Sequence, residues 1–248
     1  MRIALVQMDC TPKEKDNLTS AFAFLKSAKK KKADVAVLPE LFNTGYYLSG
    51  MAKKAAEQKG PKFLEDAAKE LNVCVLAGMP EKRGHRIYNA AYWFQPGQKG
   101  RVVYRKKNLF LGPPITEKGI FLAGRCFPPF TTPFGRIGAQ ICMDLRYPDG
   151  PRNLAKKSAD LLVYLSAFSK LRIHHWLPLL RARAIENQVF VAGCNRVGTD
   201  DMHLGGQSAI FGPEGEPVGR LGGDEEELLI ADLDFGKVKQ ARAGLKLW

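Results

Sequence analysis

Apolar residues fall in short runs rich in β-branched side chains, separated by longer stretches in which they recur every three or four positions. The runs are IALVQM (3–8), DVAVLP (34–39), VCVLAG (73–78), AAYWF (90–94), VVY (102–104), IGAQIC (137–142), LLVYLSAF (161–168), VFVAGCN (189–195), SAIFG (208–212) and LLIADL (228–233). Their length and composition predict strands, and the runs that are apolar at almost every position predict strands buried on both faces. The stretches 15–33, 51–71, 148–159 and 172–188 carry helical spacing, as at Ala21, Leu25 and Ala28, and predict helices. This alternation predicts an α/β sheet protein.

The order repeats. Residues 1–104 read strand, helix, strand, helix and then three strands, and residues 137–233 read strand, helix, strand, helix and then two or three strands. Two such halves can each make a mixed sheet that buries one face on its twin and the other under helices, giving a four-layer α-β-β-α sandwich. An open doubly wound sheet is the alternative, but no GxGxxG turn follows the first strand. The Pro/Gly-rich segment 111–135 reads as a long functional loop within one domain spanning 1–248.

Composition narrows the picture further. At 248 residues, with 45% hydrophobic and 25% charged residues, the chain can bury a large core and is too apolar for disorder. No run reaches the roughly 20 apolar residues that cross a bilayer. The start MRIALVQMD passes straight into a strand pattern rather than a signal segment, so a cytoplasmic protein with no membrane partner is expected. The formal charge of +13 concentrates its lysines in AKKKKAD (28–34) and in pairs on helix-like stretches without interleaved aromatics. That pattern favours solvated helix faces over a nucleic-acid surface. Five cysteines, at 10, 74, 126, 142 and 194, are an odd number without CxxC spacing, which favours reduced thiols over disulfides or a zinc site. The histidines, at 85, 174, 175 and 203, lie in no nucleophile motif and at no metal-ligand spacing; His174 and His175 read as helix-surface residues pointing to different sides.

Polar residues at the carboxyl ends of the buried strands carry the candidate chemistry, because α/β sheets place their sites there. Glu40 follows DVAVLP, Lys106 follows VVYR, and Cys142 ends IGAQIC. A carboxylate at a sheet rim can act as a base, a thiol at a strand-to-turn junction as a nucleophile, and a lysine as the cation for a developing oxyanion. Taken singly, each is more often structural: a capping Glu, a buried core Cys, a surface Lys.

Taken together, LPELFNTGY (38–46), YRKKNLF (104–110), EKGIFLAG (117–124), GAQICMDLRYPD (138–149), RARAIENQVFVAGCNRVG (181–198) and GGQSAIFGPEGEPV (205–218) resemble, in order, the motifs of the nitrilase superfamily of carbon–nitrogen hydrolases. The resemblance implies an α-β-β-α sandwich, a catalytic Glu40, Lys106 and Cys142, a second glutamate at Glu117, and no metal or organic cofactor. Cys142 would attack an amide carbonyl while Glu40 moves the proton, and Lys106 with the Met143 N–H would hold the oxyanion. The residues after Cys142 resemble amidase-type branches more than nitrilases. This implies hydrolysis of a small aliphatic amide to an acid and ammonia, by way of a thioester. Met143, Arg146 and Phe168 are the expected substrate-side residues, with Arg146 a candidate for a substrate carboxylate, as in an omega-amidase, or else a tie to Asp144. Nitrile hydrolysis, carbamoyl removal and a lapsed binding protein on this scaffold are the alternatives. Asn108 stands where the family pattern has histidine, which implies a structural or lost role there. The expected partner is a small-molecule amide, and the expected assembly a homodimer or higher homo-oligomer. The chain reaches only Trp248 after its last strand-like run, so no oligomer built on a long tail is expected.

Overall fold

The computed structural model describes residues 1–112 and 115–247. Pro113 and Pro114 of the segment read as a loop, and Trp248 at the end of the chain, lie outside the described residues. The first half forms β1 (Arg2–Gln7), α1 (Glu14–Lys30), β2 (Val35–Leu38), α2 (Met51–Glu57), α3 (Gly60–Leu71), β3 (Cys74–Arg83), β4 (Arg86–Phe94) and β5 (Arg101–Arg105). The second forms β6 (Phe130–Thr132), β7 (Gly135–Ile141), α4 (Asp149–Lys156), β8 (Leu161–Ser166), α5 (Trp176–Asn187), β9 (Phe190–Asn195), β10 (Ala209–Phe211), β11 (Pro217–Arg220), β12 (Glu227–Asp232) and α6 (Gly236–Gly244).

Two six-stranded mixed sheets result, ordered β12-β1-β2-β3-β4-β5 and β6-β7-β8-β9-β10-β11. Each runs antiparallel, parallel, parallel, antiparallel, antiparallel across its five pairings. Strand alternation sorts the core into layers. Ile3, Leu5, Val35, Val37 and Leu76 join Ile137, Val163 and Leu165 of the other sheet in one cluster. Their neighbours Ala4, Val6, Ala36, Leu38, Val75 and Ala77 pack instead under Leu18, Ala21 and Leu25 of α1 and Leu64 and Ala68 of α3. Leu154 of α4 and Leu180 and Ala184 of α5 complete the far side. The architecture is the four-layer sandwich.

Several elements depart from the sequence reading. LLIADL, counted with the second half, crosses as β12 to pair with β1 from Arg2↔Asp232 to Gln7↔Glu227. It covers an edge that β1 would otherwise leave bare, and the three-residue β6, inside the segment read as loop, does the same for β7. The helix expected over 51–71 is two, because Pro61 near the start of α3 cannot continue a preceding helix; Glu14 Oε1 accepts the N–H groups of Lys59 and Gly60 there at 3.0 Å each. The stretch 172–188 opens as a 3₁₀ turn, Lys170–His175, before α5. α6 and β11 were not anticipated. Among the described residues, no helix is long and apolar enough to cross a membrane.

Candidate active site

β2 ends at Leu38, and Pro39, with no N–H to give a ladder, turns the chain so that Glu40 stands at the sheet rim. Leu41 adopts φ 49°, and β3 passes so close that a Cβ on Gly78 would lie 2.7 Å from both the Pro39 carbonyl oxygen and Glu40 Cα. Only glycine allows that approach. Glu40 is fully buried; its Oε1 accepts from Asn89 Nδ2 at 2.7 Å and Lys106 Nζ at 2.8 Å, and its Oε2 from the Ala167 N–H at 2.8 Å.

Lys106 directly follows β5, and its N–H donates to Asn89 O of β4 at 2.8 Å, which extends the ladder by one residue. Its buried ammonium lies 2.8 Å from Glu40 Oε1 and 2.8 Å from Glu117 Oε2. Glu117 Oε2 also accepts the Phe110 N–H at 2.7 Å, and its Oε1 accepts Asn89 Nδ2 at 2.9 Å. Asn89 thus spends both amide hydrogens bridging two carboxylates. Burial works against the Lys106 charge, but Glu117 and Glu40 outweigh it and hold its pKa above the ordinary lysine range. Buried Tyr46 hydrogen-bonds Glu117, and burial, Glu117 and Glu40 push its hydroxyl pKa well up.

Cys142 follows β7 with φ 42°, a left-handed conformation that costs a non-glycine residue on the order of 1 kcal/mol or more. The strain is set by the sharp entry into the single 3₁₀ turn Cys142–Arg146. Asp144 fastens that turn. Its Oδ2 accepts the Ile141 N–H at 3.0 Å and the Tyr104 hydroxyl at 2.7 Å, and its Oδ1 accepts the Asn108 N–H at 3.0 Å and Asn108 Nδ2 at 2.9 Å. Tyr104 and Asn108 flank Lys106 two residues on either side, so one buried carboxylate ties the thiol's turn to the lysine's segment. Burial raises the Asp144 pKa to about 6. Burial and then Glu40 push the Cys142 thiol well above its ordinary value, against the opposing pull of Lys106, while the Ala167 N–H that binds Glu40 also reaches the sulfur. The resting group is a thiol with a carboxylate nearby.

Cys142 opens into a small, half-open pocket lined among others by Tyr46, Met143, Arg146, Phe168 and Arg172. The Arg146 guanidinium lies 5.1 Å over the Phe168 ring, and that of Arg172 5.7 Å over Phe110. Arg146 is not the tie to Asp144 that the sequence allowed, since Asp144 takes its four bonds elsewhere; Arg146 Nη1 instead meets His175 Nδ1 at 3.0 Å. His174 and His175 likewise do not diverge as expected: their rings pack edge to face with centroids 4.0 Å apart. A buried ion pair, Arg196 Nη1 to Asp200 Oδ2 at 2.6 Å, backs the cavity wall, because the same Asp200 oxygen accepts the Tyr46 N–H at 2.8 Å.

The fold therefore brings Glu40, Lys106 and Glu117 into direct contact and sets Cys142 beside them, with Met143, Arg146 and Phe168 on the cavity wall. Asn89, Tyr46 and Arg172 were missed. Asn89 had a signal, a lone amide inside the apolar stretch IYNAAYWF (87–94), whereas Tyr46 lies in a segment without periodicity and Arg172, read as the start of a helix, falls instead in the 3₁₀ turn Lys170–His175.

A sandwich of this topology, with a buried carboxylate–ammonium cluster at the strand ends beside a thiol, has the nitrilase fold. The chain belongs to the carbon–nitrogen hydrolase family, whose model matches residues 2–243. It is 33% identical over 253 residues to omega-amidase NIT2 of Mus musculus, covering 97% of this chain and 91% of that protein. The solved structure of Saccharomyces cerevisiae Nit3, a member of branch 10 of the nitrilase superfamily, superposes with a TM-score of 0.90 at 29% identity, covering 100% of this chain and 94% of that one. The NitN amidase from Nesterenkonia sp. AN1 superposes with a TM-score of 0.87 at 27% identity, covering 98% and 97%. These similarities place the chain in the amidase-type branch.

Proposed function

We propose that this protein hydrolyses the terminal amide of a small aliphatic amido acid, releasing ammonia. One observation carries the reading: the cavity at Cys142 holds two guanidinium groups, Arg146 and Arg172, and among the described residues neither is paired with a carboxylate. A guanidinium that faces a small cavity without an internal carboxylate suits an anionic substrate end, and it is the side chain best shaped for a carboxylate. Similarity to an omega-amidase supports the same substrate class.

In this reading Cys142 Sγ attacks the amide carbon as Glu40 takes the thiol proton, since the raised thiol pKa leaves little thiolate at rest. Lys106 Nζ and the Met143 N–H receive the oxyanion. Glu117 and Glu40 keep Lys106 charged, and Asn89, bonded to both carboxylates, holds them in place. The tetrahedral species collapses to a thioester as Glu40 returns its proton to the departing nitrogen, which leaves as ammonia. Glu40 then deprotonates a water that attacks the thioester, and the thiol is regenerated with the acid.

The test is ammonia release from amido acids, from neutral primary amides of equal length, from nitriles and from N-carbamoyl amines. Preference for the amido acids supports the proposal. Preference for nitriles or carbamoyl amines replaces the substrate class, and no release from any of them leaves a binding protein on a hydrolase scaffold.

A further inference from the structure

We infer that His175 is a positioning residue that orients Arg146 toward the cavity and so sets the grip on a substrate carboxylate. The inference rests on the carboxylate reading of the site given above. Arg146 ends the 3₁₀ turn that Cys142 begins, and its guanidinium is fixed from two directions. Its central carbon sits over the Phe168 ring, 5.1 Å from the centroid, and that ring packs on Trp176 with centroids 5.1 Å apart. Its edge meets His175 Nδ1 at 3.0 Å through Nη1. A guanidinium has only donors, so Nδ1 is the acceptor and the imidazole is neutral with its proton on Nε2. A stack alone lets the planar group rotate about its own normal. The histidine supplies the in-plane contact that stops this, and the remaining N–H groups then face the cavity.

The tie depends on charge state. The groups acting on His175 are His174 and Arg172 from its own 3₁₀ turn and Arg146 from the nucleophile turn; together with partial burial, which is the largest cause, all three lower its pKa below 6.5. Neutral imidazole is therefore the form at and above neutrality. As pH falls below that range, protonation removes the acceptor and turns an N–H toward a guanidinium, which breaks the in-plane contact.

The experiment compares succinamate with butyramide, which share a primary amide and chain length and differ in the terminal carboxylate. The readout is the ratio of their kcat/KM values in wild type, His175→Phe, His175→Asn and Arg146→Leu. Phenylalanine keeps a ring against His174 without an acceptor, and asparagine restores an amide oxygen. At about pH 8, His175→Phe is expected to lower the ratio roughly tenfold, the scale of one hydrogen bond to a charged group, with the loss in KM for succinamate. His175→Asn should recover part of it. The wild-type ratio should fall on acidification, and that of His175→Phe should not. A wild-type ratio in His175→Phe at about pH 8, where the imidazole is neutral, overturns the inference while leaving the carboxylate reading in place. If wild type shows no preference for succinamate, the carboxylate reading fails and the inference falls with it; if Arg146→Leu keeps the full preference, the grip belongs to Arg172 and the inference fails while the carboxylate reading stands.

Discussion

Replacing Lys106 by methionine removes one charge and little volume, and the structure says what is left behind. Lys106 Nζ lies 2.8 Å from Glu40 and 2.8 Å from Glu117, with all three side chains fully buried. Without the ammonium, two carboxylates share a buried site, held by Asn89 and by the Ala167 and Phe110 N–H groups. Removing one partner of a buried ion pair costs about 3–5 kcal/mol. At ~2–4 °C per kcal/mol for a chain of this size, the melting temperature should drop by roughly 6–20 °C. Stability therefore suffers together with chemistry, a consequence that the motif position alone did not imply. Turnover should fall at least about a hundredfold, on the scale of a lost oxyanion donor. Lys107→Met is the control. It removes the same charge, but from an exposed ammonium 4.9 Å over the Phe127 ring, an interaction worth at most about 1 kcal/mol. Adding Glu117→Gln to Lys106→Met should return part of the stability and none of the turnover, because it removes one unpaired charge without restoring a cation. Calorimetry and ammonia release on the four proteins decide the matter. A Lys106→Met protein that melts and turns over like wild type, or a Lys107→Met protein that loses as much, refutes the account of this cluster.

Glu40→Gln keeps the shape but loses the base and sets an amide N–H₂ or a single acceptor against three donors, so turnover should fall at least roughly a hundredfold; near-normal ammonia release would move the base elsewhere. Gly78→Ala touches no substrate, but its Cβ meets backbone at 2.7 Å beside Glu40, and the displaced carboxylate should cost roughly tenfold or more in kcat. Unchanged kcat would mean that the turn yields. Among the thiols, Cys10 is buried and pushed up to about 12, Cys74 is buried and pushed up to about 11, and Cys194 is buried and raised by burial, so all three should resist alkylation. Exposed Cys126 should react with iodoacetamide without loss of activity, whereas modification of Cys142 should track inactivation; peptide mapping that tied inactivation to Cys126 would contradict this.

Much of the architecture was legible because it depends on period. The apolar runs at 3–8 and 34–39 read as strands buried on both faces, and both faces are buried, with Ile3 and Leu5 in one cluster and Ala4 and Val6 in the other. Glu40, Lys106 and Cys142 were visible as polar residues where apolar runs stop, since a strand's end is encoded locally. The crossing of β12 to β1 was not visible, because which sheet an apolar strand joins depends on which edge is bare. Nor was Asn89's bridge between Glu40 and Glu117, or the use of Asp144 to join Tyr104 and Asn108 to the nucleophile turn. These contacts join residues 28 to 49 positions apart, and sequence spacing carries no record of distance once the chain has turned. The sequence by itself determined which residues were available for chemistry and that they would lie at strand ends. Only tertiary structure decided which charges are buried against each other, that Arg146 faces the cavity rather than Asp144, and that burial and Glu40 push the Cys142 thiol pKa up, because all three depend on what each group meets once water has been removed from around it.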